Sequence, residues 1–140
     1  MGVRARGVVV PAETDLTALL RGSSPRLNAG AWVYTLVPGP IPEGAEPVVV
    51  VREDEGLTLV LRQQQADELG LPYQFVAAWI TLQVHSALEA VGLTAAVSRV
   101  LSEAGISVNV VAGFTHDHLF VPFGQADEAM RTLATLAVAN

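Results

Sequence analysis

The stretch VGLTAAVSRVLSEAGISVNVVAGFTHDHLFVP, Val91 to Pro122, decides the fold. Leu93, Ala96, Val97, Val100, Leu101 and Ala104 recur at helical spacing, and Ser98, Arg99, Ser102 and Glu103 fall on the opposite side. That pattern predicts an amphipathic helix opened by Gly92 and closed by Gly105. Ile106 to Ala112 and His118 to Phe123 predict two strands joined by a short turn, because β-branched and aromatic residues favour a pleated, half-buried surface.

Outward from this stretch the pattern continues. Upstream, FVAAWITLQVH, Phe75 to His85, predicts a strand with Val76, Ile80, Leu82 and Val84 on one face and Trp79, Thr81, Gln83 and His85 on the other, since strand side chains alternate. Downstream, Ala126, Ala129, Met130, Leu133 and Ala137 predict the inner stripe of a helix from Gln125 to about Ala137. The order β-α-β-β-α is a ferredoxin-like unit without its last strand. A bare sheet edge invites pairing, so we expect it to be covered by Val8 to Val10, by Val48 to Arg52, or by another subunit.

The first half reads less regularly. Thr14 and Asp15 predict an N-cap for a short helix with Leu16, Leu19 and Leu20 inward, which the run SSPRLNAG is expected to end. Ala31 to Val37 predicts a strand, and Pro38, Pro40 and Pro42 a loop. VVVVREDEGLTLVL, Val48 to Leu61, predicts a hairpin whose acidic turn is a solvated one. A helix from Gln63 to Leu69 ends at Gly70, and Pro72 bars its continuation, which places a boundary between residues 1–72 and 73–140.

Composition narrows the function. The chain has 140 residues, 51% of them hydrophobic and 16% charged, enough apolar material for a shared core. Its net charge is −6, with arginine as its only strongly basic residue type, so no concentrated basic patch is available to nucleic acid. No apolar run reaches the roughly 18 residues of a membrane span and no cleavable leader is legible, so the expected setting is the cytoplasm. Cysteine is absent, which excludes disulfides and thiolate chemistry; the lack of lysine excludes a Schiff base.

Two histidines flank an aspartate in the decapeptide GFTHDHLFVP, Gly113 to Pro122. Strand parity puts His116 and His118 on one side and Asp117, Leu119 and Val121 on the other. With His85 they make the whole histidine supply, too few for a zinc site that wants three or four convergent ligands, and no metal or other cofactor is expected. Ser86 and Glu89 fit an S-x-x-E capping box, Gly92 suits a tight turn, and Asn109 is an isolated polar residue in mid-strand.

The Val91 to Pro122 stretch resembles an ACT domain, and its details resemble the aspartate-kinase ACT group. EGLTLVL and AWITLQVHS extend the likeness to small bacterial tandem-ACT proteins and to the CASTOR arginine sensors, from about Val48 to Val121. The resemblance implies an α+β fold of two ferredoxin-like (βαββαβ) ACT units interleaved by strand exchange. It implies a homodimer and a small ligand, an amino acid, held where ACT units meet, with no catalytic residues. Backbone donors at Gly92, Leu93 and Thr94 would then receive the ligand carboxylate. His85, Ser86 and Glu89 on the strand-to-helix turn and Asn109 would line the site, and Phe114, Thr115 and Asp117 would close it. Two other readings stand beside this one: an interaction module without ligand, and a metal-dependent enzyme built on His85, His116 and His118.

Overall fold

The computed structural model describes residues 2–5 and 8–139, with side chains from 12 to 137. Strands β1 (Gly2–Ala5) and β2 (Val8–Pro11) pair with each other as a two-stranded ribbon. Asp15 caps helix α1 (Leu16–Gly22), its carboxylate accepting from the Ala18 N–H at 3.0 Å, as the sequence predicts.

Next comes β3 (Pro25–Val37), longer than expected. The run SSPRLNAG ends α1 at Gly22, as expected, but the strand begins at Pro25 rather than Ala31: Pro25 to Asn28 pair antiparallel with Leu82 to Trp79 of β6 (Val76–Leu82). The Asn28 amide donates to the Trp79 carbonyl at 3.2 Å and the Thr81 hydroxyl at 3.0 Å. The register shifts between Asn28 and Trp32, where Gly30 has φ +98°. Polar and glycine residues here mark a bulge in a strand, which uses the same chemistry as a turn.

The hairpin β4 (Val49–Glu53) and β5 (Gly56–Arg62), then α2 (Gln63–Glu68), follow as expected. After β6 come α3 (Leu93–Glu103), β7 (Asn109–Ala112), β8 (Asp117–Pro122), a 3-10 turn at Phe123–Gln125 and α4 (Ala126–Ala139). Two strands are shorter than their apolar runs. β6 ends where its pairing with β3 runs out: the Gln83 N–H still donates to the Ser24 carbonyl at 3.0 Å, after which the chain turns to pair with Glu13. β7 begins late because Ile106, 1% exposed, packs into the core while leaving α3.

Strands β3 to β8 form one antiparallel sheet in the order β4-β5-β3-β6-β8-β7. The order is palindromic about the β3–β6 pair. In the second half, β3 stands beside β6 where the missing last strand of β6-α3-β7-β8-α4 belongs. In the first half, β6 does the same for β3-β4-β5-α2. These are two ferredoxin-like units interleaved through two shared strands. Neither Val8–Val10 nor Val48–Arg52 covers the edge: the first pairs with β1 and the second lies at the far edge of the sheet.

The helices pack on one face. Ala78, Ile80, Leu82, Leu119 and Val121 meet α1, α3 and α4, while Val33, Val37, Leu59 and Leu61 meet Ala66 of α2. The opposite face is aromatic. Trp32 and Trp79 meet edge-on at 4.8 Å, Trp79 stacks on Phe120 at 6.2 Å, and Arg62 lies 5.0 Å over Trp32. Trp32 is 3% and Phe120 0% exposed, so these rings bury one another without a covering helix.

Candidate functional site

Topology gathers most of the expected residues at one end of the second unit. Thr81 pairs with His118 and Ala112 with Asp117, so the turn between β7 and β8 stands beside the end of β6, where the chain departs toward α3. The β6–α3 connection and that turn are the raw material of the site.

In the connection, the His85 carbonyl accepts from the Glu13 N–H at 2.9 Å, and the Glu13 carbonyl accepts from the Ala87 N–H at 3.0 Å. The His85 Nε2 is buried and has no hydrogen-bond partner among the described residues. Ser86 is buried, its hydroxyl donating to the Ala87 carbonyl at 3.3 Å, and Glu89 is exposed. The S-x-x-E box therefore does not form. An extra turn, closed by the Ala90 N–H on the Ala87 carbonyl at 3.0 Å, separates Ser86 from the helix it was expected to cap.

Gly92 is the N-cap of α3, at φ +106° and with no side-chain cap. The left-handed conformation favours glycine, and a Cβ there would stand 2.9 Å from a Leu16 methyl of α1. Leu93 is buried in the core and Thr94 is exposed. The first turn of an eleven-residue helix thus keeps its N–H groups without a side-chain acceptor, a setting that favours an anionic group.

At the opposing turn, the Gly113 N–H donates to the His116 carbonyl at 2.8 Å. A Cβ on Gly113 would lie at the same distance, 2.8 Å, from that carbonyl oxygen. Phe114 is 65% exposed and Thr115 half-buried. Asp117 follows on the helix side of the sheet, in line with Leu119 and Val121; burial pushes its carboxyl up from the ordinary value, and His116 opposes that shift. Asn109 does not join this group. It is exposed and pairs with Phe120 on the aromatic face, because β7 alternates and Asn109 and Asp117 have opposite parity.

His118 shares the aromatic face. Its Nδ1 receives the Trp79 indole N–H at 3.0 Å and lies 3.1 Å from the Thr81 hydroxyl. Trp79 can only donate, so Nδ1 is the acceptor and the proton sits on Nε2. Burial lowers the pKa of His118, with His116 and Arg26 adding to the effect. Sequence parity set His118 apart from Asp117 but missed this partnership, although Trp79 and Thr81 on one face of β6 carried its signal. Among the described residues, no group of three or more histidines, aspartates and glutamates could hold a metal ion.

ACT-domain family models match residues 11–78 and, again, 74–135. The chain is a tandem ACT-domain protein. It is 46% identical to a Vibrio cholerae protein of unknown function, a possible transport protein, over 87% of this chain and 95% of that one, at a TM-score of 0.80. An Agobacterium tumefaciens protein is 23% identical over 81% and 87%, at 0.65. The ligand-free regulatory subunit of aspartate kinase from Thermus thermophilus has the same fold, 9% identical over 82% and 97% at 0.62. No curated protein matches the chain. ACT domains are typically regulatory, non-catalytic modules that bind small molecules. No described helix is long and apolar enough to cross a membrane.

Proposed function

We propose that this tandem ACT-domain protein is a cytoplasmic amino-acid sensor that acts as a homodimer, with units divided near Pro72. The supporting observation is the uncapped start of α3 at the same end of the sheet as the half-buried Asp117. The N–H groups at Leu93 and Thr94 receive the ligand carboxylate. Asp117 faces its ammonium or guanidinium, a charge-assisted contact worth about 1.5–3 kcal/mol when shielded. His85, Ser86 and Glu89 shape the connection, and Phe114 and Thr115 close over it. Asn109, on the aromatic face, serves a dimer contact instead.

One observation favours a second reading, an interaction module without ligand: Leu16 of α1 already packs against Gly92, which fills part of the junction. Titration of the protein with each of the twenty amino acids separates the two. The sensor reading expects one ligand class to bind and Asp117→Ala to weaken it about tenfold or more; no binding by any of them would leave the interaction module.

A further inference from the structure

A second site lies in the first unit, where β3 and β6 part. Their pairing ends at Val33 and Val76, yet β3 continues to Val37, paired on its other side with β5. From Tyr34 onward, the β3 edge that faced β6 has no partner strand. Strand residues turn their N–H and C=O alternately to the two sides, so alternate residues of this segment point theirs into the gap. Ahead of β6, Pro72 has no N–H to offer this edge, and Tyr73 to Phe75 run beside it without strand pairing.

The gap is a cavity of about 540 Å³, within the range of ligand pockets. Thr35 also lines it, although its buried side chain shares the parity of Val33 and Val37, which meet α2 on the other face. Its walls are Leu36, 48% exposed, and the rings of Tyr34 and Phe75, which stand 6.1 Å apart. Tyr73 at its rim is fixed by donating to Asp67 at 2.7 Å and accepting from Gln63 at 3.1 Å.

Charge identifies the occupant. None of the residues lining the cavity is ionised at neutral pH, and burial pushes the Tyr34 phenol further up. A free amino acid would bring a carboxylate to a place where the charged groups bonded to the lining, Asp67 on Tyr73 and Glu53 on Thr58, are themselves carboxylates. An interior stretch of polypeptide brings neutral N–H and C=O groups at strand spacing and one side chain per face.

We propose that this notch takes a short, uncharged, extended segment of a partner protein by strand addition to β3 at Tyr34–Leu36, with an apolar side chain lying against Leu36 and the paired rings of Tyr34 and Phe75. The site is separate from the amino-acid site proposed above and stands or falls without it.

Acetyl-Val-Phe-Val-amide is the probe, followed by backbone amide shifts and hydrogen exchange on the whole protein. Expected are slowed exchange at alternate residues among Tyr34, Thr35 and Leu36 and binding about fivefold weaker in Phe75→Ala, from the lost aromatic contact. Thr35→Val, whose side chain lies on the α2 face, is expected to leave binding unchanged. Equal binding of acetyl-Val-Asp-Val-amide, occupation of the notch by a free amino acid, or no change at these amides with millimolar peptide would each overturn the proposal. Protection of the same amides that grows with protein concentration alone would assign the notch to a second copy and overturn it likewise.

Discussion

The two halves of the sheet follow the same path and differ in what joins the first strand to the second. In the second half, β6 leads through Gly92 into α3; in the first, β3 leads through Pro38, Pro40 and Pro42 into β4 without a helix. The second half therefore presents a helix N-terminus at its end of the sheet, and the first half has none there. It places Asp117 in its hairpin strand and the first half places Glu53, Asp54 and Glu55 around its turn. A shared architecture thus carries an anion-receptive end in one unit only, which is why we place the amino-acid site in the second.

Substitutions at the glycines of these junctions test the contrast most strongly. A Cβ on Gly56, φ +145°, runs into the Val37 carbonyl oxygen, backbone of a paired strand that cannot move aside. Gly56→Ala is expected to cost about 3 kcal/mol in denaturant unfolding, from backbone strain and overpacking together. At Gly92 the obstacle is the flexible tip of Leu16, so Gly92→Ala is expected to cost about 1–2 kcal/mol. Part of that should return when Leu16→Ala is combined with it, as a double-mutant cycle reads. Equal costs at the two glycines, or no coupling to Leu16, would break the contrast.

His118→Ala sharpens it from the aromatic face. The Trp79 indole N–H loses its acceptor, for an expected loss of about 1–2 kcal/mol. Acid acts in the same direction. A histidine whose folded pKa lies below 6.5 contributes stability that is present above that value and lost as pH falls through the lower, folded one. Urea midpoints should therefore fall on acidification below pH 6.5 more in the native protein than in His118→Phe.

The smallest effect belongs to Asp117. Its folded pKa is raised above 3.8, so the stability it contributes is present below that value and lost as pH rises through the folded one. At neutral pH, Asp117→Asn is expected to unfold at a slightly higher denaturant midpoint without ligand, while weakening the amino-acid binding proposed above. A less stable Asn variant would show that the carboxylate is held by a partner rather than merely desolvated.

Much of the fold was legible in sequence. The stripe from Leu93 to Ala104 gave α3, and Glu55-Gly56 gave the β4–β5 turn, because both are local patterns. SSPRLNAG marked the end of α1 but hid the start of β3, placed at Ala31 instead of Pro25, since asparagine and glycine serve a bulge within a strand as readily as a turn. The capping box at Ser86 misled too, because a bond of the Ala90 N–H to the Ala87 carbonyl is cheap and leaves no mark in composition. The positions of Asp117 and His118 on opposite faces followed from parity alone; that Trp79 and Thr81 hold His118 did not, because the contacts span 39 and 37 residues.

By itself, then, the sequence determined the helices and hairpins, the glycines at their ends and the charge that disfavours nucleic acid, because these depend on neighbours within a few positions. Tertiary structure alone decided that β3 and β6 complete each other's units and that the helices cover one face. It also decided that Thr35 is buried and that His85 and Asp117 are partly taken from water. Each of these follows from which distant strand wins a free edge, and pairing across such separations is settled by the burial of the whole sheet rather than by any one segment.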